Sequence, residues 1–512
     1  SGAYERRLHT LPPFSRVTPS GTLAPSPPLT LATPLVLGED CDTGVPVTIT
    51  ARQLCEHLFC VGKTGQGKTV FIRHLAAEWL RRGGGLCLVD VEGPLTDDVV
   101  GLLPPEREGD AIYLDLSDAE WPFGYSLFDP TGADGGAARA RRIGAVIAAF
   151  QKVWGGTWGI QIQEWLTTIG HTFLDNRRGT MADIPRLLTD AAFRRAFLPR
   201  VRNNAARVHW QTATNPRARD GALKTEEIGS TLRRISLFLS NPLLENIVGQ
   251  ERTTLAFDRW IAERKVVLLK LPVGEVDRET VHLIGTLLVQ DLLAAALRRP
   301  EGAEPFLVIV DECQAVTTPD YLDLLTRARK RGVGVVFATQ KVANIPDAAV
   351  RENVFNVGAI VAYETTGEDG RLVARELRGT PFRTVEGFPT KAALADALAN
   401  LRQAYGPGVA VCKLPGGEHR IRVPLEQPAD DVRAHAMRSR IRASSRRAYC
   451  RPRWEVEREI RERGGVGMDE RDCDAPISPA ATAVPGLAAD APPSAAGATQ
   501  RRRWITPPPE SP

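Results

Sequence analysis

Gly62-Lys63-Thr64-Gly65-Gln66-Gly67-Lys68-Thr69 constrains this chain more than any other stretch. It stands between an apolar run, Leu58-Phe59-Cys60-Val61, and a segment of helical character from Val70 to Leu80. That is a strand, a glycine-bearing turn and a helix start. The spacing G-x-x-x-x-G-K-[ST] suits a loop that wraps a polyphosphate with its backbone N–H groups turned inward, where a Cβ at Gly62 or Gly67 collides. The helix N-terminus behind it adds partial positive charge. A nucleotide then lies on Gly62, Lys63, Thr64, Gly65, Gln66, Gly67, Lys68, Thr69 and Val70, with Lys68 reaching the β- and γ-phosphates and the Thr69 hydroxyl ligating Mg²⁺.

A chain of 512 residues holds one large α/β domain with an insertion, or two to three ordinary domains. The formal charge of +4 is too small to decide for or against nucleic acid, so local basic clusters matter more than the total. Its 8 cysteines form no C-x-x-C pair, which favours a reduced, cytoplasmic setting over a disulfide scaffold or a zinc site. The most apolar window, Leu283 to Leu297, is interrupted by Gln290 and Asp291, so neither a membrane span nor a signal peptide is expected.

Along the chain, residues 1–30 read as a proline-rich disordered arm and residues 31–134 as the first part of an α/β layer. The strand Leu86 to Val89 ends at Asp90, with Glu92 just beyond. Carboxylates so placed lie on the ligand edge of an open sheet, although a capping aspartate in a turn fits Asp90 equally well. Residues 135–245 lose the strand signal, and helical spacing takes over at Ile143, Val146, Ile147, Phe150 and at Ile162, Trp165, Leu166, Ile169. This reads as an all-α insertion whose tryptophans serve core packing better than base stacking. Residues 246–425 resume the α/β pattern. There Phe306 to Val310 runs into Asp311-Glu312, and Val335 to Ala338 runs into Thr339-Gln340. A buried parallel strand that delivers acids to the phosphate edge makes Asp311 a Mg²⁺ ligand and Glu312 the group that polarises water, while Gln340 is suited to sense the γ-phosphate. Residues 426–464 form an arginine-dense helical segment, a solvated face or a contact for nucleic acid or protein, and residues 465–512 a disordered tail.

Taken together, the elements predict an α/β, RecA-like fold of the additional-strand P-loop class: a central, mostly parallel sheet with an inserted all-α domain. The chain also resembles the HerA/FtsK superfamily of ring-forming DNA translocases, and within it the TraG-like coupling ATPases of conjugation and type IV secretion. The resemblance rests on the phosphate loop, Val89-Asp90-Val91-Glu92-Gly93-Pro94-Leu95, Ser230-Thr231-Leu232-Arg233-Arg234 with Asn241-Pro242-Leu243-Leu244, Val310 to Gln314, and Ala328 to Gly334 running into Ala338-Thr339-Gln340. It implies ATP and Mg²⁺ as cofactors, a homohexamer with ATP between subunits, DNA in the channel, and a trans-acting arginine, with Arg329 the first candidate and Arg233 the second. Loops near Lys341 and Arg351 then contact DNA. Glu92 stands where the family often has His, and the family's N-terminal membrane helices and barrel have no counterpart in this sequence, which leaves the effector, a relaxase or a nuclease, open. The alternative is a nucleotide-gated scaffold ring that recruits such an effector with little translocation; the presence of Glu312 favours turnover.

Overall fold

In the computed structural model, residues 30–129, 135–214, 222–318, 321–365, 367–377, 390–426 and 431–464 are described. The expected arm, but for its last residue, and the expected tail lie outside them.

Eleven strands make one sheet: β1 (Leu35–Asp40), β2 (Pro46–Ile49), β3 (Leu58–Val61), β4 (Gly85–Asp90), β5 (Ala111–Asp115), β6 (Val266–Lys270), β7 (Phe306–Val310), β8 (Val333–Thr339), β9 (Ala359–Ala362), β10 (Val409–Leu414) and β11 (Gly417–Arg422). Their order is β2-β1-β11-β10-β9-β3-β8-β7-β4-β6-β5. From β9 to β5 every pair is parallel, whereas β10, β11, β1 and β2 continue the sheet antiparallel. Strand β8 separates the phosphate-loop strand β3 from the Asp-Glu strand β7. That is the additional-strand arrangement, and it sets the spacing between the ends of β3 and β7.

The helices used below are α1 (Lys68–Arg81), α2 (Pro94–Leu102), α3 (Gly136–Trp154), α4 (Thr225–Leu239), α5 (Arg278–Leu297), α6 (Asp431–Tyr449) and α7 (Arg453–Gly464). Because side chains alternate along a strand, the central strands feed two cores. Phe59, Val61, Cys87, Val89, Ile112 and Leu114 face α5 and the helical insertion. Leu58, Cys60, Leu86, Leu88 and Tyr113 face α1, α2 and α6. Burial on both faces is why these strands read as continuous apolar runs.

The insertion between β5 and β6 is helical, and of its predicted apolar positions Ile143, Val146, Phe150, Ile162, Trp165, Leu166 and Ile169 are buried while Ile147 is half-buried. Two of its tryptophans are fixed by indole hydrogen bonds, Trp165 Nε1 to the Glu227 carbonyl at 2.7 Å and Trp210 Nε1 to Thr172 Oγ1 at 2.9 Å. Both are core residues. Helix α5 is long and apolar enough to cross a bilayer, but 78% of its most apolar window is buried inside the protein.

Two elements depart from the sequence reading. Strand β1 was not expected, because Gly38 breaks its alternation at a bulge opposite β2; a Cβ at Gly38 would meet the Arg422 carbonyl oxygen at 2.7 Å. The arginine-dense segment is two helices, α6 and α7, and four of the arginines of α6 are paired at home. Arg438 meets Asp97, Arg440 meets Glu108, Arg442 meets Asp115 and Arg446 meets Asp118. Helix α6 lies along β5, the last strand of the parallel side, and Ser445 Oγ accepts the Tyr113 N–H at 2.9 Å. Helix α6 covers a sheet edge that otherwise offers unpaired backbone groups.

Candidate active site

Strand β3 ends in the phosphate loop and α1 begins at Lys68, so the loop is held between two rigid elements. Gly67 sits at φ 124°, a conformation a side chain opposes. The atoms that exclude a Cβ belong to Tyr363, which follows β9: one added at Gly62 would come within 2.5 Å of its Cβ, and one at Gly67 within 2.7 Å of its ring. The glycines thus let the loop lie on a buried tyrosine, a constraint invisible to motif spacing. Lys68 is buried, and its Nζ donates to the Gly62 carbonyl at 2.8 Å, which holds the ammonium across the mouth of the loop. Lys63 pairs with Glu364 at 3.1 Å. Thr64, Gly65 and Thr69 are exposed.

Asp311 and Glu312 follow β7 and are both buried. Burial first, then the charges of Glu312 and Asp90, push the Asp311 carboxyl up to about 7, with Lys68 opposing. Among the described residues no cluster of three or more acidic, histidine or cysteine side chains is arranged to hold a metal by itself. Oxygen donors such as the Asp311 carboxylate and the Thr69 hydroxyl fit Mg²⁺.

Glu312 adopts φ 48°, ψ 52°, the left-handed region that a side chain of its shape rarely occupies. Three contacts hold the neighbourhood. The Glu312 N–H donates to Asp311 Oδ1 at 3.1 Å, and Gln314 Nε2 donates to Glu312 Oε2 at 2.7 Å. In turn, Thr339 Oγ1 donates to Gln314 Oε1 at 2.8 Å. Gln314 and Thr339 were not singled out from sequence. Both stand in stretches that carry the resemblance, one two residues past Glu312 and the other last in β8, but the resemblance gave neither a role. Gln340 meets the phosphate loop, since the Thr64 hydroxyl donates to its Oε1 at 2.8 Å. The structure therefore brings Lys68, Asp311, Glu312 and Gln340 to one edge.

Other candidates lie elsewhere or are otherwise engaged. Asp90 is buried, with both oxygens committed: Oδ1 accepts the N–H groups of Glu92 at 3.1 Å and Gly93 at 2.8 Å, and Oδ2 accepts the Thr96 N–H at 2.8 Å and hydroxyl at 3.0 Å. It builds the turn, the alternative already open from sequence, and reaches the site only as a negative charge near Asp311. Glu92 is exposed. Arg329 lies just before β8, at the amino-terminal edge of the sheet. The seven residues of β8 put it about 20 Å from the edge that carries Gln340. Arg233 is exposed on α4. Lys341 is exposed beside the site, whereas Arg351 turns its guanidinium back on its own loop, to the Pro346 carbonyl at 2.9 Å and to that of Ile345.

No protein-family model and no curated protein matches the sequence. Solved structures do match. The plasmid coupling protein TrwB in complex with the GTP analogue GDPNP is 19% identical at a TM-score of 0.53, over 77% of this chain and 91% of that one. TrwB with ADP and Mg²⁺ is 17% identical at 0.52, over 78% and 91%. The unbound bacterial conjugative coupling protein TrwBdeltaN70 is 17% identical at 0.52, over 77% and 89%. At such identities the likeness is one of fold, and it agrees with the strand order and the helical insertion. By fold, the chain has the architecture of these coupling-protein structures.

Proposed function

We propose that this protein is an ATP-hydrolysing ring motor that moves DNA. The observation that carries the reading is the convergence of Lys68, Asp311, Glu312 and Gln340 at the carboxyl edge of β3, β7 and β8. In this reading the loop from Gly62 to Val70 holds the triphosphate, and Lys68 leaves the Gly62 carbonyl for the phosphates. Thr69 and Asp311 would hold Mg²⁺, which would supply positive charge against the phosphates. Glu312 accepts a proton from the attacking water, and Gln340 reports the γ-phosphate to the loop. Arg329 acts on the neighbouring subunit of a homohexamer. Lys341 and residues of the helical insertion grip the sugar-phosphate backbone. The motor works in the cytoplasm, recruited by a relaxase, a nuclease or another effector. TrwB, a coupling protein solved with nucleotide, supports the nucleotide part by likeness of fold.

A ring that moves along DNA must release each contact in every cycle, so its contacts are few, basic and blind to sequence. Long duplex DNA is therefore expected to stimulate ATP turnover regardless of sequence. Stimulation should fall with salt, with a logarithmic slope of roughly −0.9 per phosphate contact. Turnover that long DNA leaves unchanged at low salt would favour a nucleotide-gated scaffold over a translocase.

A further inference from the structure

Lys152 is on the last turn of α3, in the helical insertion, yet its ammonium points at the turn that follows β7. Its Nζ donates to the Thr317 carbonyl at 2.8 Å and to the Gln314 carbonyl at 3.2 Å. Among the described residues no carboxylate lies within ion-pair distance of it. The surrounding groups are the Cys313 thiol and His282 on α5; burial pushes the Lys152 ammonium itself down to about 7, and burial with Lys152 beside it pushes the imidazole down to about 4. A cation withdrawn from water and met only by carbonyl dipoles is costly, and an apolar side chain fills such space at lower cost. The position calls for something that a Met or Leu does not supply.

What Lys152 grips is the platform of Glu312. Gln314 offers its backbone carbonyl to Lys152 and its side-chain amide to Glu312 Oε2, so one residue carries both contacts. Glu312 itself holds a left-handed backbone that persists only where the surroundings enforce it. Thr339 secures the amide of Gln314 from the β8 side, and Lys152 secures its backbone from the insertion side. Helix α3 also packs on α5, and Trp154, two residues past Lys152, packs against Phe238 of α4 with ring centroids 5.5 Å apart. A shift of the insertion thus reaches Lys152 first and Glu312 two contacts later.

We propose that Lys152 is a positioning residue for Glu312, through which the helical insertion sets the rate of hydrolysis without altering nucleotide binding. This rests on the ATPase reading above and assigns that site its regulation. A charge that merely props a turn affects stability alone. A charge that aims the water-polarising carboxylate affects kcat and leaves affinity intact, because only the transition state needs the aim.

The test uses the full chain. In Lys152→Met the stem remains and the donors go. The expected result is a kcat about 10- to 100-fold lower, with affinity for a fluorescent ATP analogue within about two-fold of the parent. Lys152→Arg, which keeps charge and donors, should recover most of the turnover. Gln314→Leu should lower kcat by itself, and adding Lys152→Met to it should cost little more, since the two act along one path. The inference is overturned by a Lys152→Met chain with parental kcat, by parallel loss of kcat and affinity, or by additive losses in the double variant. Parental turnover compared with that of Lys68→Ala separates the two readings. A parent no faster than Lys68→Ala removes the ATPase reading and this inference with it, whereas an active parent with an equally active Lys152→Met removes this inference alone.

Discussion

At the residue scale, the proposed reading divides binding from chemistry between Lys68 and Glu312. Lys68 is the cation held across the loop mouth, so Lys68→Ala should lose tight nucleotide binding. Glu312→Gln keeps the shape and one oxygen for Gln314, so it should bind ATP normally and turn over about 100-fold more slowly or worse. Nucleotide affinity and kcat measured side by side check both, and equal turnover by Glu312→Gln and the parent removes the base. Motif spacing made these two residues legible, because a glycine-rich turn and a strand-final acid are local in sequence. Gln314, Thr339 and Tyr363 were not legible, because each acts through a contact between segments that only the folded sheet brings together. His57 makes a second prediction. Burial first, with Arg329 adding, lowers its imidazole to about 4, while the Leu325 carbonyl opposes; Nε2 donates to that carbonyl at 2.9 Å and Nδ1 accepts the Val335 N–H at 3.1 Å. Between its ordinary 6.5 and about 4 the unfolded chain binds a proton that the native chain does not. Stability is thus fully present above about 6.5 and falls toward pH 4 by about 3 kcal/mol from this ring. His57→Asn, which tolerates the φ of 69° at this site, should be less stable at pH 7 but lose less between pH 6.5 and 4 in urea unfolding. Parallel pH curves for the two proteins would discard the assignment.

At the scale of elements, the parallel strands were legible because burial on both faces makes them unbroken apolar runs. The strand order was not, since β3 and β8 pair across a separation of some 275 residues that no local pattern records. The arginine-dense helices show the same limit more sharply. Sequence displays their charge but not the distant acids Asp97, Glu108, Asp115 and Asp118 that meet it, so a solvated face, a DNA contact and a structural strap read alike. The pairing changes what a truncation after Leu425 reports. Removing α6 and α7 bares β5 and strands four acids, so the shortened chain should aggregate, and lost DNA stimulation in it says nothing of DNA binding. A milder probe is Ser445→Ala. It leaves the Tyr113 N–H without its acceptor in a buried place, at a cost of about 1–3 kcal/mol, read as a lower melting temperature with unchanged kcat. A truncated chain that stays soluble and melts like the parent would show that the strap is dispensable.

At the scale of the whole molecule, the trans role proposed for Arg329 requires a second subunit. Arg329 lies at the amino-terminal edge of the sheet, and its own phosphate loop is at the carboxyl edge, about 20 Å away along β8, several times the reach of its side chain. Within one chain it has no route to the γ-phosphate. In a head-to-tail ring, the edge carrying Arg329 can face the phosphate edge of the next subunit, where a guanidinium stabilises the transition state by about 10³-fold or more. Arg329→Ala should then bind ATP like the parent, assemble like the parent and hydrolyse slowly. Mixing it with Lys68→Ala, inactive by a different defect, decides whether the arginine acts in trans. With random assortment, about a quarter of the interfaces pair an intact loop from the Arg329→Ala chain with an intact arginine from the Lys68→Ala chain. Turnover should rise on mixing, in proportion to that share and only at concentrations where rings form. A mixture as inactive as its parts would confine Arg329 to a structural task. Parental turnover in Arg329→Ala alone would move the search to Arg233, the exposed arginine of α4.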